Sequence, residues 1–503
     1  MRRSSRFSAA AHLTSRLGPR TLLFGGVFIV ILSGFISSVQ DPDFWWHIRT
    51  GRWILDNGRL PSQDLYTFTA VGHPWLDHEY LTEIGMWLLF KNGGFIAISL
   101  IFGALTYAAF LLIHRAADGS RRPYVISALA IALAAIAGAP IWGPRPQMIT
   151  FFFVCLQLYW LRRYLEGRSR TINYFPLVLV LWANLHGGFV VAFAFFGIAI
   201  AAEAIGWIID RRDPSHRARL KTLFRVTIVS LAAVLATPHG LSVYLNPLET
   251  LTSPAQRANI VEWFSPNFHE SFLLPFLGMV LLVIILFAVR RPTVFDLLLT
   301  LATLALSLES VRHIALFIAA VTPILIAQLS DTWLDESARR GLHLPRALPS
   351  PLFATITVVA LLVIAGATGV RIVNQLADQQ NQIAKQYPVG AADYLARHPE
   401  IGTRMFNSYG WGGYLIYRFY PDPNRRVYAF GEASVLGDRV INNYQEIAVL
   451  RGNWATQLQK DNVDYVVFNT DEALTNVLLY LPGTWEKVYE DPEAVIFTRK
   501  GPP

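Results

Sequence analysis

The chain has 503 residues, of which 53% are hydrophobic and only 16% charged. Soluble domains carry about 25% charge, so this composition excludes an ordinary soluble enzyme and indicates a polytopic membrane protein. The net charge of +8 comes mainly from arginines in short segments between apolar runs, where they orient helices, so no nucleic-acid partner is expected.

Residues 1–20 hold five arginines and no acid, as the cytoplasmic flank of a signal-anchor does. The apolar segment that follows is about 19 residues, longer than the roughly 7–15 of a cleaved signal peptide, and is expected to stay. A bilayer core needs roughly 20 apolar residues per helix. Eleven runs qualify, some only just: 21–39, 94–113, 123–141, 147–161, 172–185, 187–209, 222–237, 271–289, 293–308, 312–329 and 351–370. The lone cysteine, Cys155, lies inside one of them, which excludes disulfides and thiolate metal centres.

With the N-terminus inside, the inner segments 1–20, 114–122, 162–170, 210–221, 290–291 and 330–349 carry 22 Lys or Arg, against 6 in the outer loops. Short-loop basic residues favour the cytoplasm. This predicts a plasma (inner) membrane protein with a cytoplasmic N-terminus, and with its first long loop and its C-terminal region outside.

That loop, 40–93, opens on DPDFWWHIRTGRW. Two acids at the lip of a span are costly to desolvate and point to chemistry or cation binding. Asp41 and Asp43 read either as a general base with its neighbour, as a pair holding a divalent cation such as Mg or Mn, or as a solvated helix end with Asp43 capping the next helix. Residues 43–57 and 78–91 have helical apolar spacing, and each ends at Asn-Gly, a helix-stopping pair. They are expected to be two amphipathic helices lying along the outer face. A second cluster, Asp77-His78-Glu79, opens the latter helix; helix-dipole placement explains acids there equally well. Glu79 joins Asp41 and Asp43 as a possible metal ligand.

Further along, Arg145, His186, Glu262 and Arg312 all fall at outer helix ends. There Arg145 and Arg312 would either clamp a phosphate, which the guanidinium fork matches, or pair with an acid such as Glu309. His47, Trp46 and Arg49 complete the set of candidate binding residues. After Val370 the composition changes. Residues 371–503 read as a small α/β domain outside the membrane, with strands at 463–469 and 494–500 and helices at 389–397, 440–460 and 471–481; residues 1–370 form the membrane domain. Its segment MFNSYGWGGYLIYRF permits a tight glycine turn.

A first span ending in an acidic motif, a long outer loop with two helices, many spans and a C-terminal outer domain resemble the GT-C superfamily of glycosyltransferases. The segments DPDFWWHIRTGRWI, PWLDHEYLTE and NSYGWGGYL are similar to a bacterial group of multi-span proteins allied to it. The resemblance implies a mainly α, polytopic fold of about 11 transmembrane helices. It also implies a sugar donor carried on polyprenyl phosphate, with a first-loop acid, Asp41 or Asp43, as catalytic residue. YGWGG is loosely similar to the Trp-Trp-Asp-Tyr-Gly motif of oligosaccharyltransferases but lacks the aspartate and the adjacent tryptophans. The expectation is an inverting, membrane-embedded transferase acting on a glycan, lipid or protein acceptor. The rival is a non-catalytic envelope scaffold or a transporter. A transporter would place ionisable groups at mid-membrane, whereas here they gather at the outer ends.

Overall fold

The computed structural model describes residues 41–340 and 351–501, with a few positions between 21 and 29. The expected first span, 21–39, therefore lies largely outside the described residues, as does the second half of the inner segment 330–349. Helix α1 (Phe44–Asn57) follows at once and ends where Asn57-Gly58 predicted. Gly58 adopts φ 64° and its N–H bonds Ile54 O at 2.8 Å, a left-handed stop that suits glycine.

This helix does not lie on the surface as expected. Phe44, Trp45, Trp46, His47 and Ile48 are all buried, because α1 is clasped between helix α2 (Tyr80–Ala116) and the C-terminal domain. Trp45 sits in an aromatic box made by Phe90, Phe95, Tyr387, Tyr414 and Tyr417. The expected second surface helix and the next span form one element. Its only non-helical residue is Gly94 (φ 58°, ψ −151°), one position beyond the predicted Asn92-Gly93 stop.

The remaining ten-run pattern is seen as helices. They are α3 (Tyr124–Ala137), α4 (Gln147–Leu165), α5 (Phe175–Leu185), α6 (Val191–Ile209), α7 (Pro214–Ala233), α8 (Leu245–Thr252), α9 (Pro254–Asn259), α10 (Leu274–Val289), α11 (Val294–Glu309), α12 (Ile314–Arg339) and α13 (Pro351–Ala377). Among the described residues five helices are long and apolar enough to cross a membrane; the other runs give shorter or more polar helices. The short α8 and α9 belong to the loop 238–270, expected to be outer, and were not anticipated. α12 is the central post, with nearly its whole first half buried. At the expected inner ends, acids and bases pair off: Arg122 with Asp331 at 2.6 Å, Arg162 with Asp296 at 2.7 Å, Arg219 with Glu203 at 2.8 Å and Arg290 with Asp335 at 2.5 Å.

The C-terminal part begins with α14 (Gln379–Gln386) and α15 (Val389–Arg397). It builds one sheet in the order β2-β1-β3-β5-β4, from β1 (Arg404–Asn407), β2 (Arg426–Val427), β3 (Tyr465–Asn469), β4 (Trp485–Glu490) and β5 (Ala494–Arg499). β1 pairs in parallel with β2 and β3, while β5 runs antiparallel between β3 and β4. Only β3 and β5 were legible as strands. The expected helix 440–460 is two helices, α17 (Ala433–Ala448) and α18 (Trp454–Lys460), separated by positive φ at Leu450 and Gly452. Between β1 and β2 lies α16 (Gly412–Phe419), and α19 (Ala473–Leu479) follows β3.

The first long loop of the membrane part completes this sheet. Thr67 bridges Val427 in parallel at the β2 edge, with Phe68 N–H bonding Val427 O at 3.3 Å and Val427 N–H bonding Tyr66 O at 3.2 Å. An exposed strand edge is thereby covered, and the two parts share one interface.

Candidate active site

The acidic motif lies where three segments meet: the start of α1, the N-terminal end of α4 and the glycine turn of the C-terminal domain. Arg145, just before α4, grips Asp41 with two nitrogens at 2.6 and 3.2 Å and reaches Glu262 with a third at 2.8 Å. Asp41 Oδ1 also accepts the Asp43 N–H at 3.0 Å. The capping role considered for Asp43 is therefore not performed by its side chain. Instead its Oδ1 accepts the Trp46 indole N–H at 3.1 Å. Burial pushes the Asp43 carboxyl up to about 8, with the Asp41 charge adding to the rise and Arg145 opposing it. A raised value is what a proton-exchanging carboxyl near neutral pH requires.

Two glycines make this placement possible. A Cβ on Gly413 would stand 2.5 Å from Pro42 O, and one on Gly431 would run into Asp43 Oδ1. The backbone of the C-terminal domain thus presses directly on the acidic motif, and Tyr387 Oη donates to Asp41 O at 3.2 Å.

Beside it is a buried cluster around Glu79. His78 Nε2 and His186 Nε2 lie 3.3 and 3.2 Å from Glu79 Oε1, and His47 Nδ1 lies 3.5 Å from Oε2. Burial opposes ionisation of Glu79, yet the hydrogen bond and charge of His78 win and hold its carboxyl far below the ordinary value. Burial likewise opposes a charge on His78, but Glu79 lifts it to about 9. His186 is different: burial takes it down to about 4, and Arg312 is among the nearby charges adding to the drop. Its Nδ1 accepts the Gly188 N–H at 2.9 Å and bonds Thr150 Oγ1 at 2.7 Å, while Thr150 accepts from Trp182 Nε1 at 2.9 Å. With Nδ1 an acceptor, the proton of neutral His186 sits on Nε2 and donates to Glu79. Burial also lowers His47 and raises Asp77 to about 7; Asp77 Oδ1 accepts the Glu79 N–H at 3.1 Å.

The donors that fit a cation differ from the expected trio of Asp41, Asp43 and Glu79. Both Asp41 oxygens are taken by Arg145, whereas one ligand atom each of His47, Glu79 and Glu83 lie within 4.8 Å of one another. His47 Nδ1 is 3.0 Å from Glu83 Oε1, and Glu83 Oε2 and Asp77 Oδ2 are buried without a hydrogen-bond partner. Mixed imidazole and carboxylate donors suit a divalent ion such as Mn, and the Asp77 and Glu83 carboxyls, which face each other, need either a shared proton or a cation between them.

The two arginines separate. Arg145 is saturated by acids. Arg312 does not pair with Glu309, which instead faces Arg257 at 3.5 Å; it stacks on Trp263, 4.6 Å from the ring centroid, and meets no carboxylate among the described residues. Arg49 leaves the set. It is two residues from His47, some 200° round the helix, and donates to Tyr420 O at 3.0 Å. Sequence reading gave no role to Gly431, Tyr387, Thr150 or Glu83. Only the Glu79–Glu83 helical spacing signalled any of these.

No family model matches the chain, and no curated protein matches it. Solved structures do. The archaeal oligosaccharyltransferase AglB from Archaeoglobus fulgidus, in complex with an inhibitory peptide and a dolichol-phosphate, aligns with TM-score 0.55 and 13% identity over 95% of this chain and 74% of that one. The same archaeon's oligosaccharyltransferase tethered to an acceptor peptide aligns at TM-score 0.49 and 14% identity, covering 96% of this chain and 74% of that one. The arabinofuranosyltransferase AftD from Mycobacteria aligns at TM-score 0.46 and 16% identity, over 96% of this chain and 42% of that one. The AglB likeness is one of fold alone: this is a polytopic helical membrane protein whose overall architecture is similar to that structure's.

Proposed function

We propose that the protein is a glycosyltransferase that moves a sugar from a polyprenyl-phosphate carrier to an acceptor hydroxyl at the outer membrane face, with inversion. The observation that carries this reading is Asp43. It is a carboxyl with a pKa of about 8, held against a glycine backbone and beside an arginine-locked aspartate. A base so poised takes a proton efficiently near neutral pH.

In this reading the Asp43 carboxylate removes the acceptor O–H proton as that oxygen attacks the anomeric carbon. The bond from that carbon to the phosphate oxygen breaks, and its electron pair leaves with the polyprenyl phosphate. A single displacement inverts the centre. Arg312, which meets no carboxylate among the described residues, is the arginine available to the charge appearing on the leaving phosphate. Arg145 fixes Asp41, and Asp41 fixes the backbone of Asp43. His47, Glu79 and Glu83 would hold a divalent cation, which when bound supplies Lewis-acid stabilisation to phosphate oxygens.

Purified protein in nanodiscs, given a panel of radiolabelled polyprenyl-phosphate sugars and cell-envelope acceptors, should transfer label from at least one donor. Folded protein inactive across the panel would contradict the reading. The site should face outward from the plasma membrane. Tyr480 is 86% exposed in the C-terminal domain and the native Cys155 thiol is buried. A cysteine placed at Tyr480 should therefore react with an impermeant thiol reagent in outer-permeabilised cells, and labelling only after lysis would reverse the orientation.

A further inference from the structure

Away from the acidic motif, on the far side of α1, lies a cavity of about 370 Å³ lined by Arg49, Arg52, Trp87, Tyr417, Arg418 and Tyr420. Ligand pockets begin at roughly 300 Å³. Three guanidinium groups, two from α1 and one from α16, converge there with three aromatic rings.

Their charges are not balanced. Arg52 Nε pairs with Asp56 at 3.3 Å and Arg418 with Asp393 at 2.6 Å. Arg49 meets no carboxylate among the described residues: it donates to the Tyr420 carbonyl, stacks 4.8 Å from the Tyr420 ring, and its Nε is buried with no hydrogen-bond partner. One positive charge and one unsatisfied donor therefore remain. A buried donor left unpaired is costly, and a planar fork matches the oxygens of a phosphate.

The depth of the cavity is set by α2. Trp87 is seven residues before Gly94, where the apolar half of α2 begins, so at 1.5 Å per residue it stands no more than ~10 Å from it. Headgroups occupy roughly 5–8 Å beyond each side of the hydrocarbon core. Leu88 and Leu55, on the same two helices, are 44% and 46% exposed, as residues facing acyl chains would be.

We propose that this cavity is a second site, separate from the transfer site, that binds a phosphate ester. Arg49, Arg52 and Arg418 take the phosphate, and Trp87, Tyr417 and Tyr420 wall its polyol. The position favours the headgroup of an outer-leaflet anionic phospholipid. A water-soluble phosphate ester offers the same chemistry.

The full chain in phosphatidylcholine nanodiscs doped with phosphatidylglycerol, read by native mass spectrometry, tests this. Wild-type protein should retain phosphatidylglycerol over phosphatidylcholine. Arg52→Gln should lower that retention roughly tenfold, as losing a charge-assisted hydrogen bond does. Arg52 is half exposed, so this variant should keep the wild-type melting temperature, and Arg418→Gln gives a second reading from another segment. Added glycerol phosphate that competes for the site identifies a soluble ester as an occupant, whereas retention untouched by it identifies the lipid. Phosphatidylglycerol retention equal in wild type and both variants, with no binding of glycerol phosphate, overturns the proposal.

Discussion

Two ends of the same helical bundle carry charge, and they carry it differently. At the expected inner end each of Asp296, Asp331, Asp335 and Glu203 has its own arginine within 2.5–2.8 Å, one cation for every acid. At the expected outer end Asp41, Asp43, Asp77, Glu79, Glu83 and Glu262 crowd around Arg145 and three histidines, of which His47 and His186 are held toward neutrality. That surplus of carboxyls, most of them buried, is unsatisfied without protons or a cation. Paired charges stabilise a position; an unbalanced cluster is prepared to exchange charge, and perturbed groups gather where chemistry occurs.

The contrast can be broken most severely at Asp43. Asp43→Asn keeps the shape and removes the base, so turnover in the transfer assay should fall by roughly 10²–10⁴, the usual worth of a general base; a rate within twofold of wild type would move the chemistry elsewhere. Gly431→Ala tests whether the C-terminal backbone sets that carboxyl. The added Cβ meets Asp43 Oδ1, and displacing a catalytic group by ~1 Å costs about 10² in rate, so turnover should drop by that order while the melting temperature shifts little.

The His78–Glu79 pair sharpens the contrast through pH. His78 is raised from an ordinary 6.5 to about 9, so its contribution to stability is full below pH 6.5 and is lost as pH climbs through about 9. Melting temperature should decline over that window, and His78→Gln should flatten the decline; an unchanged slope would mean that His78 is not protonated in the fold. At the opposite end, Asp331→Asn removes one partner of a pair whose acid is 43% exposed. It should cost no more than ~1 kcal/mol in stability and leave transfer unchanged, which separate melting and activity measurements would establish.

Much of the frame was legible because apolar length and arginine placement are properties of single segments. Ten runs beyond the first became helices, and Arg145, Glu262, Arg312 and His186 came together from their shared position at helix ends. What stayed hidden depends on pairs of distant segments. Nothing local in DPDFWWHI shows that Gly431 touches Asp43 or that Trp45 packs against Tyr387, so a helix with an apolar stripe looked like one resting on lipid. β1 and β2 are short and lean on the loop at Thr67, which no alternation pattern records. Arg49 was misplaced because a list of nearby polar residues ignores the turn of the helix. Arg145 and Arg312 looked interchangeable until their partners were seen.

The most direct test is a cryo-EM map of the protein in nanodiscs with a polyprenyl monophosphate, the leaving group of the proposed reaction. The phosphate should lie within ~3.2 Å of the Arg312 guanidinium, on the same side as Asp43, with Arg145 still locked to Asp41. A phosphate seated only in the Arg49–Arg52 cavity, or one that leaves Arg312 on Trp263 and out of reach, would contradict the account.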